Sequence, residues 1–145
     1  FPVIAGVGVR NHADVERLLG LGASGVQVGT RFVATEECDA APSFKTAYLE
    51  SSTADIKIIE SPVGLAARAI ETPFLQRAER EGRIPVQKCY QCMGHCKAAE
   101  TKYCISQALI DSVSGREGLV FCGAHAAEIN RLSTVEQVMR ELCGE

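Results

Sequence analysis

Two stretches decide the fold: Phe1-Pro2-Val3-Ile4-Ala5-Gly6-Val7-Gly8 and, after one intervening segment, Gly25-Val26-Gln27-Val28-Gly29-Thr30. The first is a short apolar run ending in glycines, which suits a strand buried on both faces, as in a parallel sheet. The second alternates apolar and polar residues and breaks at Gly29-Thr30, which predicts a second strand. Between them Asn11 is placed to cap a helix, with Asp14 in its first turn and Val15, Leu18 and Leu19 at helical spacing as far as Gly20 and Gly22. Strand, helix and strand within about 30 residues make one βαβ unit.

Past Thr30 the alternation stops. Ser43 is predicted to cap a helix carrying Phe44, Ala47 and Tyr48 on one face, and Asp55-Ile56-Lys57-Ile58-Ile59 reads as a short strand ended by Ser61-Pro62. Pro73 opens a helix through Phe74, Leu75 and Ala78 that stops at Gly82. Ile105, Leu109 and Val113 share a face of another helix, with Gly115 as its C-terminal cap. Leu119-Val120-Phe121-Cys122 is an apolar run. A capping box of Ser133 and Glu136 opens the last helix, striped by Val135, Val138, Met139 and Leu142. Beyond the first unit the chain therefore reads as mostly helical with short extended pieces. A two-stranded parallel sheet leaves two open edges, each a row of unpaired backbone groups, so it needs neighbours. The sequence opens inside a strand, without an initiator Met or a signal peptide, and this points to a piece of a longer protein.

Charge and cysteine usage narrow the setting. With 15 Lys+Arg against 18 Asp+Glu and a formal charge of −3, there is no basic field to suggest a nucleic-acid partner. No run of roughly 18 apolar residues exists to span a membrane. Seven cysteines, an odd number and too few for a secreted disulfide scaffold, favour a reducing, cytoplasmic setting.

The glycines at the strand ends carry the chemistry. Glycine at the carboxyl end of a parallel strand lets the backbone approach a ligand with its N–H groups outward, and a phosphate fits that geometry. Gly6, Gly8 and Gly29 stand at such ends, and the Thr30 hydroxyl adds a donor. In eight-stranded β/α barrels the loops after the seventh and eighth strands frequently form the phosphate site. The same glycines would also serve simple tight turns, and spacing alone leaves both readings open.

These segments, with Gly22-Ala23-Ser24-Gly25 before the second strand and Arg31-Phe32-Val33-Ala34-Thr35-Glu36-Glu37 after it, resemble the last two barrel strands of the FMN-dependent nitronate monooxygenase family. That family includes the flavin-dependent enoyl-acyl-carrier-protein reductases. The resemblance continues through Ser61-Pro62-Val63-Gly64, Arg68-Ala69 and Gly118-Leu119-Val120-Phe121-Cys122-Gly123, so it covers nearly the whole chain but only the C-terminal half of such an enzyme. It implies an α/β fold: the C-terminal portion of a (β/α)8 TIM barrel, with residues 1–35 as its last βαβ unit and residues 36–145 as a helical extension packed on the barrel. It implies FMN held through its phosphate by Gly8, Gln27, Val28, Gly29 and Thr30. One departure is Val7, where the family has a glycine. If that position needs φ > 0 or close phosphate approach, a β-branched residue there is strained.

The implied reaction is oxidation of a small alkyl nitronate with O2 or, in the reductase branch, NAD(P)H-dependent reduction of a conjugated double bond. The family's catalytic histidine lies in a glycine-flanked loop after an earlier strand, expected upstream of Phe1. Here His12 sits beside a helix cap, His95 among cysteines and His125 after Gly123-Ala124, where it reads as a solvated loop residue. Arg31 is placed either to support the phosphate or to make a salt bridge at the barrel end. Cys89-x-x-Cys92-x-x-x-Cys96 with Cys104 has the intervals of an iron–sulfur or zinc site, against the alternative of buried or redox-sensitive thiols, while Cys38, Cys122 and Cys143 read as packing residues. Two further readings are an inosine-monophosphate-dehydrogenase-like phosphate-binding barrel, which the stretch Arg31 to Ala40 fits poorly, and a non-catalytic interaction module stabilised by metal at the cysteine segment.

Overall fold

The computed structural model describes residues 1–6, 8–94 and 96–145; the expectations placed on Val7 and His95 lie outside the described residues. Strand β1 (Ile4–Ala5) pairs in parallel with β2 (Gly25–Val26), Ile4 opposite Gly25 and Ala5 opposite Val26. Helix α1 (His12–Gly20) makes the crossover, and Asn11 caps it as predicted: its side-chain oxygen accepts from the Asp14 amide at 3.1 Å. The second strand is shorter than its alternation suggests, because the chain turns straight into a one-turn helix, α2 (Thr30–Val33), with Gly29 at its N-cap.

The next helix, α3 (Pro42–Leu49), starts one residue before Ser43. Ala41 is its N-cap and Pro42 its first helical residue, so the fixed φ of proline sets the start and Ser43 makes no cap.

Residues 36–145 are not mostly helical, as the sequence reading has it. They contain a three-stranded antiparallel sheet in the order β3 (Ile56–Glu60), β4 (Ala66–Ile70), β5 (Val120–Phe121). Strand β4, Ala66-Ala67-Arg68-Ala69-Ile70, carries little intrinsic β preference, and tertiary packing imposes the strand. One face of the sheet is covered, and the other is covered in part, with Ile58 left exposed. On one, Ile59, Ala67, Ala69 and Phe121 meet Phe74, Leu75 and Ala78 of α4 (Pro73–Glu81) and Ala108 of α5 (Ile105–Val113). On the other, Ile56, Ile70, Val120 and Cys122 meet Val33 of α2 and Tyr48 of α3. Small alanines let the α4 and α5 side chains close onto the strand.

Helix α4 is capped by Thr72, which accepts from Leu75 N at 3.3 Å, and it ends at Gly82 as read from sequence. In α5 the core face is Ile105, Ala108, Leu109 and Ser112, and Val113 is exposed. The capping box of α6 (Val135–Cys143) is Thr134 with Gln137, one residue later than Ser133 with Glu136. Ser133 is committed elsewhere: its amide donates to Ala34 O at 3.1 Å and its carbonyl accepts from Glu36 N at 2.9 Å. None of the described helices is long and apolar enough to cross a membrane.

Arg10 ties the turn after β1 to its surroundings. Its backbone amide, Nε and Nη2 all donate to the buried Asp14 carboxylate, at 3.1, 2.8 and 3.2 Å, and its carbonyl accepts from Arg31 Nη1 at 3.2 Å. The Arg10 side-chain hydrogen bond holds the Asp14 carboxyl down to about 2, against the burial that would raise it. A carboxyl depressed in the folded state stabilises above its ordinary value of about 4, and that contribution is lost as pH falls below it. Asp14→Asn therefore lowers the melting temperature at pH 7. The gap between variant and parent narrows as pH drops from about 4 towards 2, which thermal denaturation followed by circular dichroism across that range checks.

Candidate functional site

The tips of β1 and β2 open into a cleft of about 520 Å³. From these strand ends come Gly8, Gln27, Val28, Gly29 and Thr30, so the structure gathers around one space the residues to which the sequence reading assigned the phosphate. Across it stand Arg68 of β4 and the Cys122-Gly123 step after β5. A second lobe of about 430 Å³ runs on from Gly6 and Gly29 towards Val33, Tyr48 and Phe121.

Each wall has a local cause. The Gln27 amide donates to Ala5 O at 2.8 Å, continuing the parallel ladder and holding the two tips side by side. Gly8 has φ +69°, a left-handed turn that a side chain would strain. A Cβ built on Gly29 meets no atom within 4 Å, so the backbone there faces open space. The amides that begin a helical turn have no acceptor within that turn, which leaves those after Gly29 available to a ligand. Thr30 Oγ1 accepts from the Gly123 amide at 3.0 Å, linking the end of β2 to the end of β5, and its own proton remains to be donated. The approach is close: a Cβ on Gly123 would lie 2.7 Å from Thr30 Oγ1.

The polar groups divide sharply between engaged and open. Arg31 does not line the cleft. It pairs with Glu141 of α6 and donates to Arg10 O, which is the salt-bridge reading and not the phosphate one. Burial works against the Glu141 carboxylate, but Arg31 and Arg131 outweigh it and hold the group below its ordinary range. Arg68, half-buried, makes no ion pair among the described residues. Burial pushes the nearby Cys122 thiol up to about 11 while Arg68 pulls it the other way, so this cysteine is a neutral thiol at pH 7. Burial, with Cys122 and Cys38 adding to it, raises the Tyr48 hydroxyl well above its usual range, and it donates to the Phe121 carbonyl.

His125 is half-exposed, its Nδ1 lies 2.6 Å from Glu128 Oε1, and its Nε2 faces the Gly8 turn, 3.8 Å from where a Cβ on Gly8 would sit. It edges the cleft as a loop residue. His12 is further off, with Nδ1 3.0 Å from Leu142 O.

The cysteine segment does not assemble. Cys89, Cys92 and Cys96 are exposed and Cys104 is partly buried, and among the described residues no three His, Cys, Asp or Glu are grouped to hold a metal ion. The iron–sulfur or zinc expectation, and with it the metal-stabilised module, finds no support. The chain meets at irregular loops in this region, and the expected intervals alone do not draw the thiols together.

Sequence reasoning missed Arg68 and Gly123 as wall residues. A signal existed for the second: Leu119-Val120-Phe121-Cys122-Gly123 is another apolar run ending in glycine, the pattern that marked β1. Arg68 stood within the resemblance as Arg68-Ala69 but with no role assigned, because β4 itself was not recognised.

Comparison with known proteins finds likenesses over the length of the chain. The family model for nitronate monooxygenase matches residues 1–145. A probable nitronate monooxygenase of Bacillus subtilis is 29% identical over 144 residues, which is 99% of this chain and 40% of that protein. One from Staphylococcus haemolyticus is 38% identical over 85 residues, 58% of this chain and 24% of its own length. Among solved structures, FabK from Thermotoga maritima superposes with a TM-score of 0.75 at 26% identity, covering 99% of this chain and 43% of that one. The chain thus spans less than half the length of the relatives it matches.

The Thr30–Gly123 contact yields a stability test. Gly123→Ala forces the threonine hydroxyl away, and Thr30→Val leaves the Gly123 amide without its acceptor. Each is expected to lower unfolding free energy by about 1–3 kcal/mol, whereas Thr30→Ser, which keeps the hydroxyl, stays close to the parent in urea denaturation.

Proposed function

The chain belongs to the nitronate monooxygenase family, and on that premise we propose that it forms the phosphate-binding end of an FMN-dependent oxidoreductase. In this reading β1 and β2 are the last two strands of a (β/α)8 barrel, residues 1–35 supply its final βαβ unit, and residues 36–145 pack on it as an extension. The observation that carries the proposal is the adjacency of the two glycine-ended tips around open space, with Thr30 and the backbone beyond Gly29 facing in.

The residues fit a phosphate-bearing group. A Cβ on Gly29 would project into the open cleft, and no acidic side chain lines the cleft among the described residues. Gly8, Gln27, Val28, Gly29 and Thr30 would hold the phosphate through backbone N–H groups and one hydroxyl, as short neutral donors hold anions at strand-to-helix turns. FMN, when bound, supplies the redox chemistry, taking electrons from one substrate and passing them to another. This chain's contribution is to fix the position of that group and to keep bulk from its approach; Gln27, leaning over Gly6, borders the continuation of the cleft towards Tyr48.

The substrate reading is an alkyl nitronate oxidised with O2 to a carbonyl compound and nitrite. A second reading, NAD(P)H-dependent reduction of a conjugated double bond, is favoured by the structural likeness to FabK. Turnover of an alkyl nitronate without NAD(P)H supports the first, and nicotinamide oxidation dependent on an enoyl thioester supports the second.

The absorption spectrum of the full-length protein, gently purified, tests the proposal: a flavin spectrum is expected, and a folded colourless protein that takes up no added FMN overturns it. Gly29→Val places bulk where the structure has none, at a backbone conformation valine tolerates. It should weaken FMN binding roughly tenfold or more without loss of fold, as read by flavin fluorescence titration; unchanged affinity removes Gly29 from the site.

A further inference from the structure

Each other arginine around the strand ends faces a carboxylate of the protein. Arg10 is held by Asp14, with Glu128 at 3.8 Å; Arg17 faces Asp14 at 3.6 Å; Arg31 is paired with Glu141. Arg68 alone among these has no carboxylate partner among the described residues, although it is half-buried. On its face of the sheet the acidic residue of β3 is Glu60, one cross-strand pair further along opposite Ala66, and Arg68 makes no ion pair with it. Its cross-strand partner on β3 is Ile58, and its neighbours along β4 are Ala67 and Ala69. The pleat explains where it goes. Ala67 and Ala69 belong to the face packed on α4 and α5, so Arg68 stands on the opposite face with Ile70 and Cys122, where the sheet opens into the cleft.

The guanidinium is not sealed from water, but its five donors form a planar fork matched to carboxylate, phosphate and similar oxyanions, and no carboxylate among the described residues takes them. The space it faces is lined otherwise by glycine backbone, a threonine hydroxyl, a glutamine and a neutral thiol, with no acidic group to satisfy it.

We propose that Arg68 is the charged anchor of this cleft and binds, through its guanidinium, an oxyanion carried by the bound ligands. The inference rests on the flavin reading above and goes beyond it, since that reading uses only neutral donors. Two ligands would bring such an oxyanion: the phosphate of FMN, or the charged oxygens of an alkyl nitronate.

The test compares Arg68→Gln and Arg68→Lys with the parent in the full-length protein, each checked for native circular dichroism. Dissociation constants for FMN and for riboflavin, which lacks the phosphate, are measured by fluorescence quenching of the apoprotein, and KM for an alkyl nitronate is measured with saturating flavin. If the oxyanion is the phosphate, Arg68→Gln weakens FMN by roughly tenfold or more and leaves riboflavin unchanged, with Arg68→Lys between parent and glutamine. If it is the nitronate, FMN affinity holds while KM rises by a similar factor and kcat changes little. FMN and riboflavin affinities and KM all unchanged in Arg68→Gln overturn the proposal. A parent protein that binds FMN no better than riboflavin overturns the phosphate reading itself, before any variant is compared.

Discussion

The parallel pairing of β1 with β2 is the constraint on which the site depends. Its register puts Ala5 beside Val26, and the Gln27 amide then extends the ladder to Ala5 O, so both chains leave the sheet at the same level. A slip of one residue would turn every side chain to the other face and separate the glycines that follow. Three further ties hold the tips after they part. Arg10 binds α1 through Asp14, Arg31 reaches back to the Arg10 carbonyl and outward to α6, and Thr30 takes the Gly123 amide. Polar contacts of this kind add little stability singly, but here each fixes the direction of a loop that borders the cleft.

The same two strands are poorly covered. Val3 and Ile4 are each 59% exposed and Leu21 is 77% exposed, whereas parallel sheets elsewhere are buried on both faces. Both outer edges present unpaired backbone groups. Additional strands pairing on either side, as in a closed barrel, would bury these residues and satisfy those groups. The antiparallel sheet is better covered, with one face packed on α4 and α5 and part of the other on α2 and α3, and it is this block, tied through β5 and Gly123 to Thr30, that brings β4 against the strand tips.

Much of this was legible in the chain. The Asn11 cap, the Pro73 start and the Gly82 stop follow from local chemistry, because each depends on residues within one turn of one another, and the βαβ unit follows from a strand, helix and strand contiguous in sequence. What was not legible depended on distant partners. Ala66–Ile70 has the composition of a helix or a loop and becomes a strand only because Ile56–Glu60 and Val120–Phe121 flank it. The last helix was read one residue early because Ser133 and Glu136 satisfy the capping pattern as well as Thr134 and Gln137 do; the bridge of Ser133 to Thr35, nearly a hundred positions away, decides between them. Arg31 was open to two roles for the same reason, since Glu141 comes to it only through packing of α6.

The distribution of charge around the cleft also has a physical logic. Arg10 and Arg31 sit where loops must be held, and a loop is held by a cation only if the cation has a fixed counter-charge, so each is matched with a carboxylate on a helix. Each of those carboxylates also faces a second arginine, Asp14 facing Arg17 and Glu141 facing Arg131, so these guanidiniums are committed to protein carboxylates outside the cleft. The lining of that space is instead built from groups that carry dipoles but no charge, and dipoles alone hold an anion with directional contacts but little long-range pull. A single arginine on the opposing sheet changes that balance. It stands on β4, which is held on both edges by hydrogen bonding and on one face by α4 and α5. Shape is thus supplied by the glycine-ended strand tips and charge by the antiparallel sheet opposite them.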